Sequence, residues 1–217
     1  MRTKRPMAIH CTTMFETFPP PESLLESLKT HFPQDSLASW GTKPGTKNVH
    51  NLWLELSRGE SMLSDTIPAD RKLHCAVVRI LNHKTNKILL ESDQELSDGS
   101  IRSRSRPLSE KMKANEDVEG AALRAIKEEL GPSWVASFVP GAYKMKKSKR
   151  ESDSYPGLDT TYVVHTVHAT VEGLPDEDFT TEEEEYGDCL GLKKVADKAV
   201  HVKRHFWQWA DYYVEEE

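Results

Sequence analysis

The chain has 217 residues, 37% of them hydrophobic and 29% charged, with a formal net charge of −6. That length accommodates one well-cored domain with an extension, and the composition suits a soluble globular protein rather than a disordered or fibrous one. Net negative charge argues against nucleic-acid coating of the whole surface while permitting local basic patches, and no apolar run reaches the length of a membrane span.

The opening stretch, MRTKRPMAIHCTTMFETF, is basic at first and carries no acid before Glu16. It lacks the apolar core of a signal peptide, so it reads as an unstructured start, with a transit peptide as the alternative. Residues 19–32, PPPESLLESLKTHF, punctuate with prolines and then space Leu24, Leu25, Leu28 and Phe32 for a short amphipathic helix. GTKPGTK at 41–47 is a turn-rich connector. In HNLWLELS, Leu52, Leu54 and Leu56 alternate, which predicts a strand. LHCAVVRIL (73–81) predicts a buried strand, NHKTNK a turn, and KILLES (87–92) the return strand of a hairpin. SDGSIRSRSRP (97–107) reads as a polar, basic loop.

A helix over EDVEGAALRAIKEELG (116–131) comes next, with Asn115 as its expected N-cap, early acids on the positive end of its dipole, and Gly131 as its C-cap. Val118, Ala122, Ala125, Ile126 and Leu130 form its inward side. A short strand near 134–139, a basic loop KMKKSKR (144–150), a turn SYPGL (154–158) and a long strand TYVVHTVHATV (161–171) follow. The acidic stretch PDEDFTTEEEE (175–185) leads to a last predicted helix from 192 to 213, with Leu192, Val195, Ala199, Val202, Phe206, Trp209 and Tyr213 on one stripe. Strands, helix, strands, helix make an α/β chain with a mixed sheet and helices packed against it.

Cys11, Cys75 and Cys189 are scattered, odd in number and match no zinc-site spacing, so a disulfide framework is not expected. The expected compartment is reducing: the cytoplasm, with the nucleus or an organelle matrix as alternatives. His165 and His168 lie three apart on a strand, hence on opposite faces, and cannot form a ligand pair. The aromatic C-terminus reads as core, and Tyr155 as a packing residue that could alternatively stack on a base.

The chemistry centres on the 116–131 helix. Arg124 and Glu128 are four apart and share a face, and Ala125 lies near Glu128 and Glu129. Spacing alone admits two readings: a solvated face with an ion pair from Arg124, or two carboxylates holding Mg²⁺, which takes one or two protein carboxylates plus waters and phosphates.

In its context the segment resembles the box of the Nudix hydrolases. Glu116 stands at the first glutamate position of that pattern, and Arg124, Ile126, Glu128, Glu129 and Gly131 follow in register. Lys111 occupies the position of the usual lysine upstream. The departures are Glu110 for the leading glycine, Leu108 and Ser109 for the usual Pro-Gly, Ala125 for the glutamate after the arginine, and Pro132 at the closing apolar position. The resemblance covers roughly 72–213. It implies a Nudix-type α/β/α sandwich over 71–217; residues 1–70 have no counterpart in it and read as an extension, partly helical, packed on it.

Two functions follow from the resemblance. One is an Mg²⁺- or Mn²⁺-dependent hydrolase cleaving a pyrophosphate bond in a nucleoside diphosphate linked to another group. Glu128 and Glu129 would bind metal, Arg124 would orient them and Glu116 would support the helix. Lys111, Arg104 and Arg106 would contact substrate, and a glutamate among 182–185, with Glu183 and Glu185 the named candidates, would act as base. The other is a catalytically silent module binding a nucleotide, RNA or a protein partner. No membrane association is implied, and a homodimer would be unsurprising.

Overall fold

The structure, a computed structural model, describes residues 19–32, 34–66, 68–182 and 190–212. Three helices open it: α1 Pro21–His31, α2 Gln34–Ala38 and α3 Val49–Ser57. Then come β1 Met62–Leu63, β2 Arg71–Asn82, β3 Lys87–Leu96, β4 Ile101–Arg106 and β5 Leu108–Lys111. Helix α4, Val118–Ala125, runs directly into a π-helical turn, Ile126–Leu130. β6 Ala136–Phe138, β7 Lys144–Glu151, β8 Asp159–Val171, β9 Phe179–Glu182, α5 Leu190–Ala196 and β10 Val202–Asp211 complete the described elements. The fold is mixed α/β. Its curled sheet runs β6-β8-β2-β3-β10-β9, with β1 and β5 on β2, β4 on β3 and β7 on β8. β2 and β8 pair in parallel and the other ladders are antiparallel.

Helix α4 and the π-turn bury Ala122, Ala125, Ile126 and Leu130 against Val78 and Ile80 of β2, Leu89 of β3, Val167 and Ala169 of β8 and Trp207 of β10. This is the inward side that the apolar spacing predicts. The cap differs. Asp117, not Asn115, accepts the N-terminal bond, from Gly120 N at 2.7 Å. Asn115 adopts φ 64°, a left-handed conformation that Asn tolerates. At the other end Gly131 takes φ 117°, and Trp134 Nε1 donates to the carbonyl of Leu130 at 2.8 Å.

Four expected elements are corrected. HNLWLELS is helical: Asn48 accepts from the amides of His50 and Asn51, and the Asn51 side chain accepts from Asn48 N, a reciprocal capping box. The leucine alternation misleads because α3 is buried on several sides, Leu52 in one apolar cluster and Trp53 and Leu54 in another. The basic stretch around 101–106 is strand β4, held by side chains across the ladder: Ser103 Oγ donates to Asp93 at 2.7 Å and Arg104 Nε to Glu91 at 3.0 Å. KMKKSKR is strand β7, exposed throughout and paired to β8 alone; lysines suit an edge strand because their charge opposes further pairing. The predicted final helix stops at Ala196 and becomes β10, whose aromatic and β-branched residues pair with β3 and β9.

The N-terminal helices share one core with the rest. Leu28, Phe32, Trp40 and Leu52 pack with Tyr155 and Leu158 of the SYPGL turn. Beneath them Glu55 of α3 is buried among cations. Arg71 Nη1 lies 2.8 Å from Oε2; Lys111 Nζ and Lys47 Nζ lie 3.3 and 3.5 Å from Oε1. Tyr155 OH donates to Oε1 at 3.0 Å, and the Arg71 guanidinium lies 4.7 Å from the Tyr155 ring centroid. Burial opposes ionisation of Glu55, but Lys111, Lys47 and Arg71 overcome it and hold its pKa down to about 2.

Replacing Glu55 by Gln leaves three cations without their carboxylate and is expected to destabilise the fold by about 3–5 kcal/mol in urea titrations. Since the folded pKa lies below the ordinary 4.5, the contribution is complete above pH 4.5 and lost as pH falls towards 2. The wild type should therefore lose stability more steeply over that window than Glu55→Gln.

Candidate metal centre at the end of helix α4

Arg124 organises the outer side of α4. Its Nε and Nη2 each donate at 2.9 Å to the two oxygens of Glu116, and Nη1 donates to Glu128 Oε2 at 3.0 Å. Nη2 also donates to the carbonyl of Lys111 at 2.6 Å, and Glu110 lies 3.6 Å from Nη1. The guanidinium fork therefore ties the strand end at Lys111 to both ends of the helix. Burial works against this charge, but Glu116, Glu110 and Glu128 hold the guanidinium protonated beyond its ordinary range. The hydrogen bonds from Arg124 lower the pKa of Glu116, whereas burial raises that of Glu128.

Glu128 and Glu129 thus part company. Glu128 belongs to the Arg124 network, while Glu129 turns inward and is buried. The π-helical turn widens the helix where these residues sit, a distortion that often accompanies a functional site. Inward, Glu129 meets Glu91 of β3 and His205 of β10, with one ligand atom from each residue all within 4.8 Å of one another. His205 Nδ1 lies 2.5 Å from Glu91 Oε1 and 3.7 Å from Glu129 Oε2. Gln94 Nε2 donates to Glu91 Oε1 at 2.6 Å, and Arg102 donates in turn to Gln94 Oε1. Trp207 Nε1 donates to Thr181 Oγ1 at 2.8 Å, and that hydroxyl donates to the carbonyl of Glu129. Burial opposes ionisation of Glu91, yet the bond to His205 and the charge of Arg104 keep its pKa below the usual value.

Two carboxylates and an imidazole fit a divalent cation. The three side chains are 1–7% exposed, so an ion among them would be largely dehydrated. Mg²⁺ dehydrates reluctantly and prefers oxygen, whereas Mn²⁺ accepts both carboxylate and imidazole; the donor set therefore suits Mn²⁺ better.

Of the residues singled out from the sequence, Arg124, Glu116 and Glu128 come together, and Glu129 joins a separate trio. Arg104 reaches that trio through Glu91, aimed there by a β-bulge at which Ser105 takes φ 47°. Arg106 is exposed at the end of β4, and Lys111 turns to Glu55. Glu183 and Glu185 lie outside the described residues, as does the N-terminal start. Glu182 is exposed, 3.2 Å from Arg204. His165 accompanies His74 and Tyr143, with ring nitrogens 2.9 Å from each partner, while His168 meets Tyr212 edge-on. Sequence reading missed Glu91 and His205. The first sits in a predicted strand with no motif, and the second falls within the predicted final helix.

No protein-family model matches this chain and no curated protein matches it.

Arg124→Lys keeps the charge but loses the fork that spans Glu116, Glu128 and the Lys111 carbonyl. The expected cost is about 1–3 kcal/mol of unfolding free energy, measured by urea denaturation.

Proposed function

We propose that the chain is a divalent-metal-dependent hydrolase of the Nudix type, cleaving a pyrophosphate bond in a nucleoside diphosphate linked to another group. The observation that carries this reading is the meeting of Glu129, from the last turn of the box-like helix, with Glu91 and His205 beside Arg104. Glu129, Glu91 and His205 would hold the ion. When bound, it would neutralise phosphate charge and polarise the attacking water. Arg124 and Glu116 fix the helix that presents Glu129, and Arg104 orients Glu91 through a 3.0 Å bond. The base that takes the water's proton is assigned to the acidic stretch 182–185, as the sequence pattern suggests; Glu183 to Glu185 lie outside the described residues. The α/β/α sandwich of that family is part of the same proposal. The register of Glu116, Arg124, Glu128 and Glu129 supports it, and the replacement of the final helix by β10 is its main departure.

A second reading is a silent module that binds a phosphate-bearing ligand without cleaving it. It is favoured by Ala125, which is fully buried in the apolar core at the position where active relatives would carry a further carboxylate.

A panel of dinucleotides, nucleotide sugars, nucleoside triphosphates and capped RNA, incubated with Mn²⁺ or Mg²⁺, separates the two. Under the hydrolase reading, turnover requires metal, is faster with Mn²⁺, and falls about 100-fold or more in Glu129→Gln. Mn²⁺ should also raise the melting temperature of the wild type but not of His205→Ala. Folded protein with no metal-dependent turnover on any substrate would leave the silent module.

A further inference from the structure

Around Glu55, cations from three parts of the chain converge. Lys47 ends the connector after α2, Lys111 ends β5, and Arg102 lies on β4. Lys47 and Lys111 both direct their ammonium groups at one oxygen, Glu55 Oε1, which also accepts from Tyr155 OH at 3.0 Å. A carboxylate oxygen has about two lone pairs to offer, so three donors oversubscribe it. The contact lengths agree. At 3.5 and 3.3 Å the two ammoniums stand back from Oε1, well beyond the roughly 2.7–2.9 Å of a charge-assisted bond. Arg71 already takes the other oxygen at 2.8 Å.

Arg102 adds a third charge. Its stem packs beneath Gly45, 3.7 Å from where a Cβ would stand, two residues before Lys47. Its guanidinium donates to a neutral group, the amide oxygen of Gln94. Two carboxylates face the group. Glu110 accepts from the Lys111 amide and reaches towards Arg124, and burial raises the pKa of Glu60 to about 7; with Glu55 these carboxylates favour the charged form of Lys111. The lysine side chains are 24% and 23% exposed.

We infer that Lys47, Lys111 and Arg102 form an anion-binding subsite that takes the phosphoryl groups of a diphosphate, with Lys47 supplied by the N-terminal segment. The choice of a diphosphate rests on the hydrolase reading; the convergence of the cations does not. An acceptor-rich anion supplies the lone pairs that Glu55 lacks. Burial, then the charge of Lys111, lowers the pKa of Lys47 to about 8 although Glu55 opposes this, and an arriving anion would favour the charged form further. Arg102 also reaches the trio of Glu91, Glu129 and His205 through Gln94, which donates to Glu91.

Calorimetric titration of the full chain in EDTA, with inorganic pyrophosphate and a nucleoside diphosphate side by side and adenosine as control, tests this without turnover. Both phosphate compounds should bind and adenosine alone should not. Lys47→Gln should weaken pyrophosphate at least about tenfold, the value of one charge-assisted bond, and Lys47→Arg should restore most of it. Arg102→Gln, whose partner is a neutral amide, is the second variant if Lys47→Gln does not fold, and should show the same loss. Nucleoside diphosphate binding more tightly than pyrophosphate would identify a nucleotide as the source of the anion; equal affinity would identify free phosphates. No pyrophosphate binding by folded wild type, or affinity unchanged in both variants, overturns the subsite. Metal-free binding with no turnover on the substrate panel would retain it and remove the hydrolase reading instead.

Discussion

Glu55 is the carboxylate on which the rest of this architecture depends. It lies on a helix from the N-terminal part of the chain, yet its partners come from β2, from the end of β5, from the connector before its own helix and from the SYPGL turn. A buried carboxylate survives only where charge and hydrogen bonds replace its lost water. Each of those segments must therefore be in place at once. Arg71 extends the constraint by donating to Thr160 at the start of β8 and to Ser152 before the turn. The N-terminal helices are consequently part of the same folded unit as the sheet, and the apolar packing of Trp40, Leu52 and Tyr155 closes over the charges.

The same physics recurs at Glu91. It too is a buried carboxylate, here on strand β3, surrounded by Arg104, Gln94 and His205. The two clusters differ in what surrounds them. Around Glu55 the partners are cations, which outnumber the one carboxylate they share. Around Glu91 a second carboxylate, Glu129, approaches with an imidazole between, an arrangement in which like charges are brought together at the end of a distorted helix. Carboxylates held close in a dry site are what a cation could stabilise. Arg124 stands between the two clusters. It bonds the Lys111 carbonyl on one side and the turn carrying Glu128 on the other, so the positions of both clusters are tied to one guanidinium.

Much of the frame is legible from residue order. The hairpin of β2 and β3, the long strand β8 and the inward face of α4 follow from β-branched runs and from the spacing of Val118, Ala122 and Ile126. The relation of Arg124 to Glu116 and Glu128 is equally legible, because residues four apart on a helix are neighbours whatever surrounds them. Where local pattern and burial disagree, burial prevails. Leu52, Leu54 and Leu56 alternate as in a strand, yet the capping box at Asn48 and the enclosure of Asn51 to Glu55 make a helix. Phe206 and Trp209 are spaced as on a helix, yet pairing with β3 makes a strand and sends His205 and Trp207 inward. The alternation of Arg102, Ser103, Arg104, Ser105 and Arg106 did carry a strand signal, but polarity masked it, since the facing partners are themselves polar.

By itself, then, the sequence determined a mixed α/β chain, the helix that bears Glu116, Arg124, Glu128 and Glu129, and the ion pairs within reach along that helix. These are short-range matters, decided by periodicity and by contacts between residues a turn or two apart. Only the tertiary structure decided that Glu129 would face Glu91 and His205 while Glu128 would not. It also decided that Lys47 and Lys111 would share one oxygen of Glu55. Those meetings join residues far apart in the chain, and they follow from which strands pair and which helix is buried. No local pattern encodes that choice, because it is made by the burial of the whole apolar core at once.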